Sequence, residues 1–388
     1  MNKSYTSEAT NTGYLVRQKD HAFVLDFDAM RKAIFFNPVI AGRVARDYGA
    51  PPGTVGDELK DAVASKFQPL LPSMGAGAAS PDDEVFTAAA LALASNSRNW
   101  SKVIAKLEDL KSALLKFDPV AVASVADAPT EREALLARLT AILGGQTARQ
   151  DSKSIIRFAQ FLRSTPEYGH LLNEAREELR ERDSRLSDTK LTAAVSLLLA
   201  KGDKALRSSP DVSATKIFGM GPALASEFLR NLGWQSFKPD RHVIRLLRAW
   251  MPQDARDAVT NGYPPDVLFK GLSKEERDFW KYAIIGEAVT PKGESVNDAD
   301  QLLWMMGAYV IRPKRKQRAG VKKPLPSEAQ LVGLMAQFYS AGLDQAITET
   351  AKILAANWGY HEDAAHYEAR TVADSISARW TVLIPSPR

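Results

Sequence analysis

The 388-residue chain predicts an all-α protein. Three observations lead there. Apolar residues recur at helical spacing in one segment after another, as in Glu131–Leu143, where leucines at 135, 136, 139 and 143 share one face. Alternating runs rich in branched residues are scarce. Between residues 81 and 311 the helical segments follow one another with short connections and no internal repeat, the pattern of a compact helical core.

Taken in order, residues 1–80 read as an N-terminal extension. Within it Tyr14–Phe27 is the one stretch suited to a hairpin. Gly49–Gly56 (GAPPGTVG) reads as a loop, and Pro72–Asp83 (PSMGAGAASPDD) as a small-residue linker. The core 81–311 is expected to contain helices over Val85–Ser95, Ser101–Phe117, Glu131–Leu143, Ser152–Arg163, Lys190–Leu199 and Lys274–Val289. Residues 312–325 form a basic linker whose stretch RPKRKQRAGVKKP (Arg312–Pro324) holds seven basic residues and no acidic one. Removing it would take the formal charge from +5 to −2. Such a run suits either a solvated connection or a strap that neutralises phosphates and releases their counterions. Residues 326–388 read as a C-terminal helical extension, clearest over Ser327–Trp358, with an irregular tail TVLIPSPR.

Composition narrows the chemistry. Hydrophobic content of 45% and charged content of 25% are those of a soluble globular protein. The longest apolar run, Ala88–Ala94, is far short of the ~18 residues a membrane span needs, and the polar start MNKSYTSEATNTG lacks a secretion signal, so the cytoplasm is the expected location. The absence of cysteine excludes disulfides, a thiol nucleophile, a thiolate zinc site and a cysteine-ligated iron–sulfur cluster. His361 and His366 stand five apart and do not share a helical face, so neither a metal nor another cofactor is expected.

Two local motifs carry function. Lys216–Arg230 (KIFGMGPALASEFLR) is built as a helix end, a tight turn and a helix start. Gly219 can adopt the left-handed conformation that closes a helix, and Gly221 lets backbone approach a ligand with no Cβ in the way. Pro222 suits the first helical position. The amides of Ala223 and Leu224 at that start, with the helix dipole behind them, would attract an anion such as a phosphodiester. The second motif is Asp240, which follows Pro239 and precedes the amphipathic RHVIRLLRAW. It is suited to cap that helix, and the first-turn amides favour its charged form. An anion so placed is better fitted to stabilise a developing cation than to donate a proton.

In combination, the G-x-G turn, one helix, one loop and then K-P-D-R-H-V-I-R resemble the helix–hairpin–helix DNA glycosylase superfamily, of the endonuclease III and adenine glycosylase types, with Asp240, His242 and Arg245 in register. LTAILGGQTARQDSKSIIRFAQFL (Leu139–Leu162) is similar to that family's L-x-x-x-I-L-S-x-Q-T segment, and SVNDADQLLWMMGAYVI (Ser295–Ile311) to its closing helix with an L-x-x-x-G-A stretch. The similarity spans about Glu131–Ile311.

The resemblance implies two helical subdomains with the active site between them, flanked by the N- and C-terminal extensions. It implies base excision from double-stranded DNA carrying a modified base, performed by a monomer in repair or in defence against modified viral DNA. Asp240 would be the catalytic residue. Gly219, Gly221, Ala223, Leu224, Arg241 and His242 would contact DNA, and Gln146 and Thr147 would sit where the extruded base leaves a gap. Strand-cutting members carry a lysine two residues after the second hairpin glycine; here that position is Ala223, so the expected enzyme is monofunctional. Phe218 stands where the family has proline. Trp234, Trp280, Tyr282 and Trp304 are candidates for an aromatic wall against the base, although each also fits a core position. The alternative is a non-catalytic helix–hairpin–helix DNA-binding protein.

Overall fold

A computed structural model describes residues 5–9, 13–18, 21–66, 80–98, 100–202, 205–206, 216–251, 253–310 and 343–358, with isolated positions between 365 and 373. The basic stretch after residue 311, His361, His366 and the tail TVLIPSPR lie outside these residues.

The chain opens with an antiparallel three-stranded meander, β1 (Tyr5–Ala9), β2 (Gly13–Gln18) and β3 (His21–Asp26), in spatial order β1-β2-β3. The expected hairpin is present as β2 and β3, with one more strand beside it. The remaining described elements are helical. In chain order they are α1 (Phe27–Arg31), α2 (Pro38–Tyr48), α3 (Gly56–Ser65), α4 (Asp82–Ala94), α5 (Trp100–Ile104) and α6 (Leu107–Ala113). Then come α7 (Pro119–Asp127), α8 (Pro129–Leu143), α9 (Ala148–Ser164), α10 (Tyr168–Arg182), α11 (Asp188–Lys201) and α12 (Pro222–Asn231). The last are α13 (Arg241–Trp250), α14 (Gln253–Thr260), α15 (Lys274–Val289), α16 (Val296–Met305) and α17 (Leu343–Trp358). Among the described residues no helix is long and apolar enough to cross a membrane.

Local chemistry sets many of these boundaries. Asn37 accepts hydrogen bonds from Val39 and Ile40 ahead of Pro38, which starts α2, and Gly49 ends that helix at φ 69°. Asp118 caps α7 in the same way, and Ser273 with Glu276 forms a reciprocal capping box on α15. The single helix expected over Ser101–Phe117 is instead broken twice. Lys106 leaves helical geometry (φ −114°, ψ 13°), where its ammonium reaches the Ile142 carbonyl at 2.5 Å. Leu115, Lys116 and Phe117 then take positive φ, a turn that buries Phe117. These are tertiary contacts that periodicity does not register.

Two large apolar cores form, with a small third cluster in the C-terminal extension that joins Ala346, Ile347 and Leu354 of α17 to Ala365, Ala369 and Val372. The first is built around α4 and α11, helices apolar on nearly every side and therefore interior, with α7 to α10 and α12 packed about them. The second gathers α13, α16 and the π-helical turn Met306–Val310 with Leu25–Val63 of the N-terminal extension. The extension thus shares a core with the segment that follows Asp240. Helix α15 joins the two, giving Phe279, Trp280, Ala283 and Ile284 to the first core and Tyr282, Ile285 and Val289 to the second.

Candidate active site

Between the two cores lies a cavity of about 1090 Å³, slightly larger than the ~300–1,000 Å³ typical of small-ligand sites. The start of α12, the start of α13 and the cavity-facing side of α16 all open onto it.

At the hairpin, Gly219 sits at φ 84°, where an added Cβ would lie 2.1 Å from Ser154 Oγ. Turn and neighbour therefore both require glycine. Gly221 is extended (φ −86°, ψ 174°), and a Cβ there would meet nothing within 4 Å, so its surroundings are open to a partner. Pro222 begins α12 as expected. The Leu224 amide is turned inward onto the Gly221 carbonyl at 3.0 Å and is not an outward donor, a correction caused by the tight first turn. The amides of Gly219, Gly221 and Ala223 have no partner among the described residues. Phe218 is exposed, with the Arg157 guanidinium 4.1 Å above its ring.

Asp240 caps α13. Its Oδ1 accepts from the amides of His242 at 2.7 Å and Val243 at 3.0 Å, while Oδ2 has no hydrogen-bond partner among the described residues. The residue is half-buried and borders the cavity, as do Pro222, Ala223 and Leu224 of the hairpin helix. Arg241 is exposed at the rim. His242 packs edge-on to Trp304 (6.4 Å, 74°), and its Nδ1 lies 3.3 Å from the Gly307 carbonyl. Burial, with Arg245 and Arg241 nearby, pushes the His242 ring below its ordinary value despite Asp240, so the neutral imidazole is favoured. Gly307 makes this close approach feasible, since a Cβ there would lie 2.8 Å from His242 Cβ.

Beside Asp240, and bordering the same cavity, lies a group of charges that the sequence did not single out, its two carboxylates buried and its two cations partly so. Arg230 donates to both Glu227 and Asp300 at 2.6 Å, and Lys238 Nζ stands 3.2 Å from Glu227. Asp300 Oδ1 also accepts the Lys238 amide at 3.0 Å, and the Lys238 carbonyl in turn accepts the Asp240 amide at 2.8 Å. The catalytic candidate is therefore suspended from Asp300 through one residue of backbone. Burial would raise the Glu227 carboxyl, but Arg230 and Lys238 outweigh it and hold it at about 2. Asp300 is raised to about 7, first by burial, with Asp240 and Glu227 adding like charge that Arg230 only partly offsets. In sequence these side chains look like ordinary surface charges; only packing reveals them.

The GGQT loop is held by a different arginine. Arg98 Nε donates to the carbonyls of Leu143 (3.2 Å) and Gly144 (2.9 Å), Nη2 to Thr147 Oγ1 (3.3 Å), and Nη1 pairs with buried Asp151 at 2.8 Å. Gln146 is exposed on this loop and does not border the cavity, whereas Arg98 does.

Of the four aromatic candidates, only Trp304 borders the cavity, half-exposed. Trp234 is 5% exposed and lies in the first core beneath Arg176. Trp280 is buried with its indole N–H donating to the Tyr263 carbonyl at 2.8 Å. Tyr282 is buried in the second core, its hydroxyl accepting from Arg248 at 3.0 Å. These three are core residues, because the middle of α15 is enclosed on both sides and Trp234 fills the space under α10. No family model, curated protein or solved structure matches the chain.

Proposed function

We propose that the protein is a monofunctional DNA glycosylase of the helix–hairpin–helix type, which hydrolyses the bond between a modified base and its deoxyribose in double-stranded DNA, in repair or in defence against modified viral DNA. One observation carries this reading. Asp240, whose Oδ2 is uncapped, borders the same cavity as Pro222 to Leu224 at the start of α12, where the Ala223 amide is open, so a carboxylate and an amide that could hold a phosphate stand on adjacent helix starts.

The amides of Gly219, Gly221 and Ala223 would grip a backbone phosphate, and the target nucleotide would swing into the cavity at a cost of a few kcal/mol. As the C1′–N bond breaks, its electron pair leaves with the base and positive charge builds on the sugar. Asp240 would offset that charge from the face opposite the departing base. Water then adds to C1′, and the proton it releases neutralises the base. Gln146, exposed on a clamped loop, would fill the gap in the duplex. With alanine at position 223 no amine is placed to form a Schiff base there, so the strand would stay intact.

The test is incubation with duplexes carrying alkylated, oxidised, deaminated or bulky viral-type bases, followed by hot alkali. The expected result is alkali-labile sites from the wild type and no cleavage before alkali. Asp240→Asn should slow base release by about 10²–10³-fold with DNA binding retained. Binding without base release on any duplex would instead favour the non-catalytic DNA-binding reading.

A further inference from the structure

The hairpin turn also borders a second hollow. Between α8 and α9 runs a groove of about 390 Å³ that reaches Phe218, one residue before the turn; Pro222, just after the turn, borders the cavity. Buried Leu136 and Ile156 line the groove, and three exposed cations stand over them, Arg132 from α8 and Lys153 and Arg157 from α9. Among the described residues no carboxylate pairs with any of the three. Glu133, the acid on the groove, lies 3.7 Å from Arg149, so its charge is already offset. Further along α9 the usual surface arrangement holds, with Arg163 gripped by both oxygens of Asp127 at 2.7 and 2.9 Å. Lys153 and Arg157 stand one helical turn apart, a like-charge spacing that destabilises a helix. A polyanion laid along the groove would reverse that.

Two contacts tie the groove to the hairpin. Gly219 packs on Ser154 so closely that a Cβ would lie 2.1 Å from its hydroxyl, which seats the turn directly on α9. The Arg157 guanidinium lies 4.1 Å from the centre of the exposed Phe218 ring, an attraction that a proline at 218 could not supply. At its other end α9 starts at Ala148, immediately after Gln146 and Thr147. Building on the glycosylase reading, we propose that this groove is a phosphate track, in which Arg132, Lys153 and Arg157 hold the DNA backbone between the GGQT loop and the hairpin. The Phe218 ring sets the Arg157 guanidinium for that contact. Such a track fixes the position of the duplex outside the cavity and reads no base.

The test is the salt dependence of equilibrium binding between the full chain and an unmodified duplex, followed by fluorescence anisotropy. Each phosphate neutralised adds about 0.9 to the slope of log K against log salt. Replacing Arg132, Lys153 and Arg157 together with glutamine should lower the slope by about 2.7. Raising salt from ~50 to ~200 mM should then cost the wild type roughly 40-fold more affinity than it costs the variant. All three side chains are exposed, so the variant should melt with the wild type. Phe218→Leu, which keeps every charge, should weaken binding by about two- to five-fold. Arg163→Gln removes an equal charge from α9 at a residue Asp127 already holds, and should leave the slope where it was. A slope unmoved in the triple variant, or lowered as much by Arg163→Gln, overturns the inference and leaves base release standing. Loss of polyglutamate binding with the DNA slope unmoved also overturns it, and marks the groove as a seat for acidic peptide. A slope that falls as expected in a protein that releases no base defeats the activity and upholds the track.

Discussion

Replacing Asp300 with asparagine tests whether this buried carboxyl, in the charge cluster beside Asp240, is protonated as its burial implies. A carboxyl whose folded value lies above its unfolded one stabilises the fold fully below the unfolded value. It loses that contribution as pH rises through the folded value. For Asp300 the window runs from its ordinary 3.8 to about 7, and at ~1.4 kcal/mol per unit the wild type should lose about 4 kcal/mol across it from this residue. Asparagine keeps an oxygen for the Lys238 amide but does not titrate. Chemical denaturation of both proteins from pH 4 to pH 8, read as the difference in unfolding free energy, should therefore move steadily in favour of Asp300→Asn as pH rises. Glu227 does not interfere, because its contribution is present above 4.5 and is lost only as pH falls toward 2. His242 cancels to first order in the difference. A difference that stays flat from pH 5 to pH 8 would mean that Arg230 keeps Asp300 charged throughout and that burial does not protonate it.

Further substitutions probe the other parts of the site. Gly219→Ala forces a side chain into left-handed backbone and against Ser154. It should cost at least about 1–2 kcal/mol in denaturant unfolding, and Ser154→Gly in the same protein should return part of that loss. Arg98→Met leaves Asp151 buried without its cation, so unfolding should show a loss of about 3–5 kcal/mol, accompanied by greater proteolytic cutting at Gly144-Gly145. Gln146→Ala, at an exposed position, should change stability by less than about 0.5 kcal/mol and yet slow base release from duplex far more than from single-stranded substrate. Gly307→Ala displaces His242 and with it the amide that Asp240 holds, so base release should fall more steeply than the melting temperature.

What sequence made legible was local. The start of α12 at Pro222, the left-handed φ of Gly219 and the cap of α13 by Asp240 are each decided by a few neighbouring residues and lie where the pattern placed them. The helix end expected before Gly219 is not there: Lys216 and Ile217 are non-helical, the Ile217 amide being bonded to the Leu199 carbonyl, and Gly219 closes a turn. The helical class was legible for the same reason, because periodicity is a property of single segments. Side-chain environment was not. Trp280 and Trp304 are indistinguishable in sequence, yet one is enclosed on α15 and the other borders the cavity. Asp47 lies nearly two hundred residues before Asp240, and nothing short-range announces that both border one space. Likewise Arg230 reads as a solvated helix end until Asp300, seventy residues later, is found against it.

The way α15 is shared has a mechanical consequence. Its Trp280 and Ile284 are locked into one body and its Tyr282 and Ile285 into the other, so the two halves cannot rotate about the cavity without prising a sixteen-residue helix from one of its beds. Such a jaw is rigid at the hinge. Any long, stiff polymer seated in it has to supply the bending itself, and a segment already weakened in its stacking will enter at the lowest cost.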